Sequence, residues 1–349
     1  MAGNHAATVE VVRNIGYRPV QIWLWSLCAL VFCMVLLGGA TRLTQSGLSM
    51  VEWRPLDFLP PMNDAAWEDM FLLYKASPEY THRNVGMDLA GFKGIFWLEY
   101  VHRLVGRLVG VAVVVPLLVF VACRLVDRRV LRRILGLFVL GGLQGALGWF
   151  MVASGLIDRP DVSHYRLAAH LMLAVVLFAA LLWMALDCTV STAFSPAPNG
   201  VVRGPLLCLG MVMLTMTWGA FVAGLDAGLT YNTFPLMDGH IVPPGAWVQD
   251  PWWYNLVANV ATVQFVHRSL ALCTVVVTCV VAWKLWATSL SKPVCCLALA
   301  LVFAVCVQLF LGITTLLLAV PVSLGIVHQA MAVVLVGLCV TLIFRLVRG

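Results

Sequence analysis

The sequence predicts an all-α membrane protein with eight transmembrane helices, arranged as two tandem four-helix bundles related by a pseudo-twofold axis along the membrane normal. Three observations predict it. First, 62% of the 349 residues are hydrophobic and 11% charged, with mean hydropathy +0.94, against about 25% charged in a soluble domain. Second, eight continuously apolar runs lie near 20–40, 101–123, 132–152, 166–187, 205–224, 260–283, 294–319 and 323–345. Each approaches the roughly 20 residues a helix needs to cross a bilayer, and none alternates as a barrel strand would. Third, the chain repeats itself.

The repeat is carried by four pairs of segments in one order. "LLGGATRLTQSGLS" (36–49) is similar to "TWGAFVAGLDAGLT" (217–230), "EYVHR" (99–103) to "QFVHR" (264–268), "LQGALG" (143–148) to "VQLFLG" (307–312), and "AHLMLAVV" (169–176) to "VHQAMAVV" (327–334). A unit of four spans inserts both copies the same way up, which places the symmetry axis along the membrane normal. The expected organisation is a cytoplasmic N-terminal segment 1–19, an N-terminal bundle 20–187 with a long outer loop 43–98, a cytoplasmic linker 188–204 marked by Pro196, Pro198, Asn199 and Gly200, and a C-terminal bundle 205–349.

Charge orients the chain. Arg13, Arg18, Arg124, Arg128, Arg129, Arg132, Arg133, Arg203, Lys284, Lys292, Arg345 and Arg348 fall on the side of both termini, so that side has twelve of the 22 cations and three of the 16 acids, Glu10, Asp127 and Asp187. This cation excess makes that side cytoplasmic; the arginines orient the protein and imply no nucleic-acid partner. The eleven cysteines lie in apolar runs or at their inner ends and outline neither a disulfide framework nor a thiolate zinc site. In the outer loop, Trp67, Met70, Phe71 and Tyr74 form a helical stripe behind a capping start at Asn63 or Asp64, which predicts a short interfacial helix. The Pro- and Trp-rich stretch 231–255 reads as an interfacial aromatic belt.

Four of the eight histidines, His102, His170, His267 and His328, stand near the outer ends of even-numbered spans, two per repeat. The other four, His5, His82, His164 and His240, lie in or beside polar segments and are expected in solvent. Polar side chains within a membrane are costly and mark function. Two imidazoles at one depth on facing helices fit the two axial ligands of a haem iron. Zinc would need further N, S or O ligands nearby. Arg103 and Arg268 directly follow two of these histidines and could pair with haem propionates. Gln144 and Gln308 stand in the outer halves of spans 3 and 7 and could hydrogen-bond a ligand or join helices. The halves differ at one place: Glu99, three residues before His102, faces Gln264 in the other copy. A partly desolvated carboxyl is a candidate general acid or base, so the chemistry is expected in the N-terminal half.

"GGATRLTQSGLSMVEW", "EYVHRLVGRLVG", "GAFVAGLDAGLTYNTFPLMDG", "VQFVHRSLA" and "VHQAMAVV" resemble the haem A synthase family over about residues 20–345. The resemblance implies an oxidoreductase that oxidises a ring methyl of haem O to a formyl group, giving haem A for cytochrome oxidase. It implies that His267 and His328 ligate a permanent haem b and that His102 and His170 hold the substrate haem O, with Glu99 essential. The outer loops lack the cysteine pair of some members, which resembles the proteobacterial and mitochondrial subgroup and a bacterial inner-membrane location with haem sites toward the periplasm. Expected partners are the bilayer, haem O and the enzyme that produces it, and an electron carrier; small residues such as Gly38 and Gly39 also permit a homo-oligomer. The competing classes are a dihaem b-type electron-transfer subunit and a haem transporter or chaperone.

Overall fold

The computed structural model describes residues 2–52, 59–157, 160–189, 198, 200–288 and 290–348, with side chains from residue 18 onward. Pro196 and Asn199 of the expected linker and Trp53 of the outer loop lie outside the described residues, as do the side chains of His5, Glu10 and Arg13. The described chain is helical: α1 (Ala2–Leu43), α2 (Asp64–Lys75), α3 (Pro78–His82), α4 (Leu89–Ala122), α5 (Arg128–Ala153), α6 (His164–Thr189), α7 (Arg203–Gly224), a short α8 (Asn255–Ala258), α9 (Val260–Ala287), α10 (Lys292–Leu317) and α11 (Val322–Arg348). Eight of these, α1, α4 to α7 and α9 to α11, are long and apolar enough to cross a membrane.

Two boundaries differ from the sequence expectation. Helix α1 runs through the segment assigned to an N-terminal tail, so tail and first span are one helix. Helix α4 starts at Leu89, inside the expected loop 43–98, with Asp88 as its N-cap. Its 34 residues reach about 51 Å at 1.5 Å per residue, well over the ~30 Å apolar slab. The surplus turns carry Phe92 and Phe96, both buried, and α2 is what buries them. Apolar periodicity alone placed the start at residue 101, because Glu99 and Lys93 interrupt the run.

Helix α2 forms as the stripe predicts. Asn63 caps it, its side chain accepting the Ala66 N–H at 2.8 Å, and Trp67, Phe71 and Tyr74 pack on Phe92, Phe96 and Tyr100 of α4. Trp247, Trp252 and Trp253 in the loop between α7 and α9 are largely exposed, as an interfacial belt requires.

The centre of the molecule is made by α1, α6, α7 and α11. Helix α1 packs on α4, α6 and α11; α6 packs on α5, α7 and α11; α7 packs on α9 and α11; and α10 packs on α9 and α11. Leu24, Val175, Val336 and Leu342 are fully buried in the shared core. Each packed pair within the first four long helices has a counterpart within the last four, with one inequality. Helices α9 and α10 pack along each other, whereas α4 and α5 barely touch. Gly141, Gly142 and Gly145 of α5 have nothing within 4 Å of a Cβ position.

The cap of α2 and α3 hides an acid. Glu79 is 3% exposed; the Tyr74 hydroxyl donates to its Oε2 at 3.0 Å, and Asn84 Nδ2 donates to that hydroxyl at 2.7 Å. Burial, chiefly, pushes the Glu79 carboxyl up to about 7; the charges of Glu99 and Asp161 add to this, while the Tyr74 hydrogen bond and Arg83 oppose it. Because the folded cap keeps a proton that the unfolded segment releases near 4.5, its docking is strongest below that pH and weakens as pH rises toward 7. Hydrogen exchange across 64–82, corrected for intrinsic rates, should therefore accelerate between pH 5 and pH 8 in the wild type. It should change far less in Glu79→Gln.

Candidate functional site: two histidine pairs seated on glycines

The four histidines come together as two pairs. His102 on α4 lies within electrostatic range of His170 on α6, and His267 on α9 within range of His328 on α11. All four rings are half-buried. Each ring rests on a glycine of a neighbouring helix. A Cβ built at Gly38 would stand 3.2 Å from His102 Cε1, at Gly148 2.9 Å from His170 Cε1, at Gly219 3.0 Å from His267 Cε1, and at Gly312 2.9 Å from His328 Cε1. Any larger residue would displace the imidazole, so glycine is required here for close approach. In the repeat, Gly38 matches Gly219 and Gly148 matches Gly312. The sequence offered these seats as the glycines common to "GGA" and "WGA" and to "LQGALG" and "VQLFLG"; reading them only as small residues for helix contact missed their partner.

Each seat meets its ring at Cε1, with both nitrogens of the His170, His267 and His328 rings farther away. His267 Nδ1 donates to the Thr215 carbonyl at 3.1 Å, one turn before Gly219, which leaves Nε2 unprotonated and free to ligate. The Nδ1 atoms of His102, His170 and His328 are buried without a hydrogen-bond partner. Gln144 Nε2 lies 3.4 Å from His170 Nε2 and donates to the His170 carbonyl at 3.0 Å. Gln308 Nε2 lies 3.4 Å from His328 Nε2. Both glutamines are thus beside the ligating edge of a histidine, and the Oε1 of each is buried and unpaired. Among the described residues, no three His, Cys, Asp or Glu side chains gather as a metal site. Pairs of imidazoles are what the fold supplies.

The arginines have a structural task that their sequence position does not suggest. Arg103 Nη2 donates to the Met50 carbonyl at 2.9 Å and Nη1 to the Glu52 carbonyl at 3.4 Å. Arg268 donates to the matching carbonyls, Tyr231 at 2.5 Å and Thr233 at 2.8 Å. Each guanidinium clips the loop after the first helix of its repeat to the histidine helix. Those loops turn alike, through Gln45 at φ 52° and the matching Asp226 at φ 51°. Arg268 keeps a buried Nε without a partner.

The acid sits in the same clip. Glu99 is 2% exposed. Its Oε1 accepts from Arg103 at 2.5 Å, and its Oε2 accepts from the Ser49 hydroxyl at 2.6 Å and the Met50 N–H at 2.8 Å. Gln264 accepts from Arg268 through Oε1 at 3.0 Å but donates through Nε2 to the Ala227 carbonyl at 2.7 Å. The two repeats build one architecture and place a carboxylate in the first and an amide in the second. His164 departs from its expected solvated position: it packs on Gly224 and Phe221, with Nε2 at 2.9 Å from the Val257 carbonyl. His82 and His240 are exposed as expected.

Fold and site define a polytopic helical membrane protein carrying two glycine-seated histidine pairs, one in each half of its sequence. The chain belongs to the COX15-CtaA family, cytochrome oxidase assembly proteins, which it matches over residues 21–340. It is 46% identical to the protein named "Heme A synthase" of Nitrosospira multiformis over 323 residues, 91% of this chain and 90% of that one. The proteins of the same name from Paramagnetospirillum magneticum and Parvibaculum lavamentivorans are each 46% identical, covering 94% and 96% of both chains, respectively.

Replacing Glu99 by Ala would leave Arg103 buried beside unpaired donors, a loss on the order of 3–5 kcal/mol. Glu99→Ala should therefore unfold earlier in detergent and expose 46–52 to protease. Glu99→Gln, which copies Gln264, should keep most of the clip.

Proposed function

We propose that the protein is an oxidoreductase that converts haem O to haem A, oxidising a ring methyl to a formyl group for cytochrome oxidase assembly. Family membership and the names of the relatives support this. The observation that carries it is the inequality of two otherwise matching sites. The C-terminal site is closed by α9 against α10 and holds neutral Gln264; the N-terminal site is open between α4 and α5 and holds Glu99. A closed site suits a resident cofactor, and an open one suits a substrate that must come and go.

In this reading the chain forms two tandem four-helix bundles, 20–187 and 205–349, related by a pseudo-twofold along the membrane normal. The matched seats, clips and turns support that symmetry. His267 and His328 hold haem b, and His102 and His170 hold haem O. The glycine cradles and inward Nδ1 atoms fit such ligands, because a planar macrocycle needs Nε2 presented from two facing helices. When bound, haem b supplies one-electron transfer. Gln144 and Gln308 steady the ligand rings, and Arg268 Nε is a donor for a propionate, with Arg103 its counterpart. Glu99 holds negative charge beside the substrate, and its Oε2, touching the Ser49 hydroxyl, is placed to take or return a proton. The face carrying α2 and α3 is the periplasmic side of a bacterial inner membrane, with both termini cytoplasmic, as the cation distribution supports. The outer loops without a cysteine pair support the proteobacterial and mitochondrial subgroup. The haem O-producing enzyme and an electron carrier are the partners such a reaction needs.

Glu99→Gln, purified and analysed for its haems, should retain haem b, accumulate haem O and contain no haem A. Ordinary haem A production would overturn the role of Glu99. The seats predict half-selective losses. Gly312→Val should abolish bound haem b, whereas Gly148→Val should leave haem b and lower haem O occupancy by about tenfold or more, the equivalent of ~1.4 kcal/mol. Pyridine haemochrome spectra per chain read both.

A further inference from the structure

Three helix pairs join the halves, α6 with α7, α11 with α1, and α11 with α6; the first two match in the repeat, yet these two seams are chemically unlike. Where α6 meets α7, Leu171, the residue after His170, packs in an apolar cluster with Ala168, Ala220, Phe221 and Val263. Where α11 meets α1, the matching residue is Gln329, directly after His328. Its Nε2 donates to the Val35 carbonyl of α1 at 2.8 Å, and its carboxamide lies directly on Gly39, where even a methyl group would collide. Gly39 matches Ala220 in the repeat, and it neighbours Gly38, the seat of His102. The second seam therefore runs without a gap from His328 through Gln329 to the Gly38–Gly39 turn and the His102 ring. There a hydrogen bond meets a bare glycine surface directly between His328 and the seat of His102. A half-buried amide between apolar helices is costly unless satisfied, so an apolar pair like Leu171 and Ala220 would have served adhesion alone.

We propose that Gln329 is a positioning residue that couples the two histidine pairs, holding α11 and α1 in the register that permits one-electron exchange between a group on His328 and a group on His102. The exchange takes one electron from a ferrous to a ferric centre, and no bond or proton moves. This rests on the haem reading above. Contacts along such a connection modulate coupling between sites, so the exchange should slow roughly threefold to tenfold when the hydrogen bond is removed.

The test uses the full-length protein purified with haem b and haem O. Gly39→Ala combined with Gln329→Leu rebuilds the apolar seam of the other interface. After laser photoreduction with a ruthenium tris-bipyridine dye, electron equilibration between the two haems should be slower in this variant. The low-spin EPR signal of the His102 haem should move while that of haem b stays. Equilibration and EPR signals equal to wild type would overturn the proposal. If the double variant fails to assemble, Gln329→Met, which keeps length and bulk without the amide, must give the slower exchange or the proposal falls. A wild-type protein without haem would overturn the haem reading itself, and this inference with it.

Discussion

Each imidazole of the four central histidines sets its Cε1 against a helix that has no side chain at the point of contact, and the rest of the structure depends on that. A buried nitrogen needs a partner or a ligand, and a ring can be aimed only if its other edge is fixed. Glycine on the neighbouring helix brings the ring to the backbone, where His267 finds the Thr215 carbonyl. The opposite nitrogen is then presented between helices. Helix spacing, the order in which the helices pack, and the loops that close the bundle all serve to hold those four contacts at once.

The two halves carry matching sites with small departures between them. The clips are built alike down to the matching carbonyls of residues 50 and 231. Glu99 and Gln264 occupy one position and share the arginine contact, but the acid accepts from Ser49 and Met50 where the amide donates to Ala227. The loosened contact between α4 and α5, set against the tight one between α9 and α10, makes the same distinction in packing. The acid and the looser helix contact fall in the same half, which suits the proposed division into substrate and cofactor sites. The unlike seams are a third departure of this kind.

Much of this was legible in the sequence. The eight spans follow from apolar runs that nothing but lipid would tolerate, and the repeat is visible because both copies keep His, Arg, Gln and Gly at matched places. The histidines and the Glu99 asymmetry stand out because polar residues are rare in that setting. The capping helix was readable from Asn63 and the stripe behind it. The start of α4 was not, because its surplus turns are stabilised by α2 packing on Phe92 and Phe96, a contact between segments distant in the chain. Nor was the loop clip of the arginines, whose guanidiniums reach carbonyls some fifty and thirty-seven residues away.

The sequence by itself determined the class of protein, the number of spans, the candidate ligands and the half in which an acid accompanies them. These follow from composition, periodicity and repetition, which are local or self-referential properties of a chain. Only the tertiary structure decided which glycine seats which histidine, that Glu79 is buried in the cap, that α4 and α5 barely touch while α9 and α10 pack along each other, and that Gln329 bridges α11 and α1. Each of those depends on side chains from helices brought together by packing, and packing is a property of surfaces that no single segment carries.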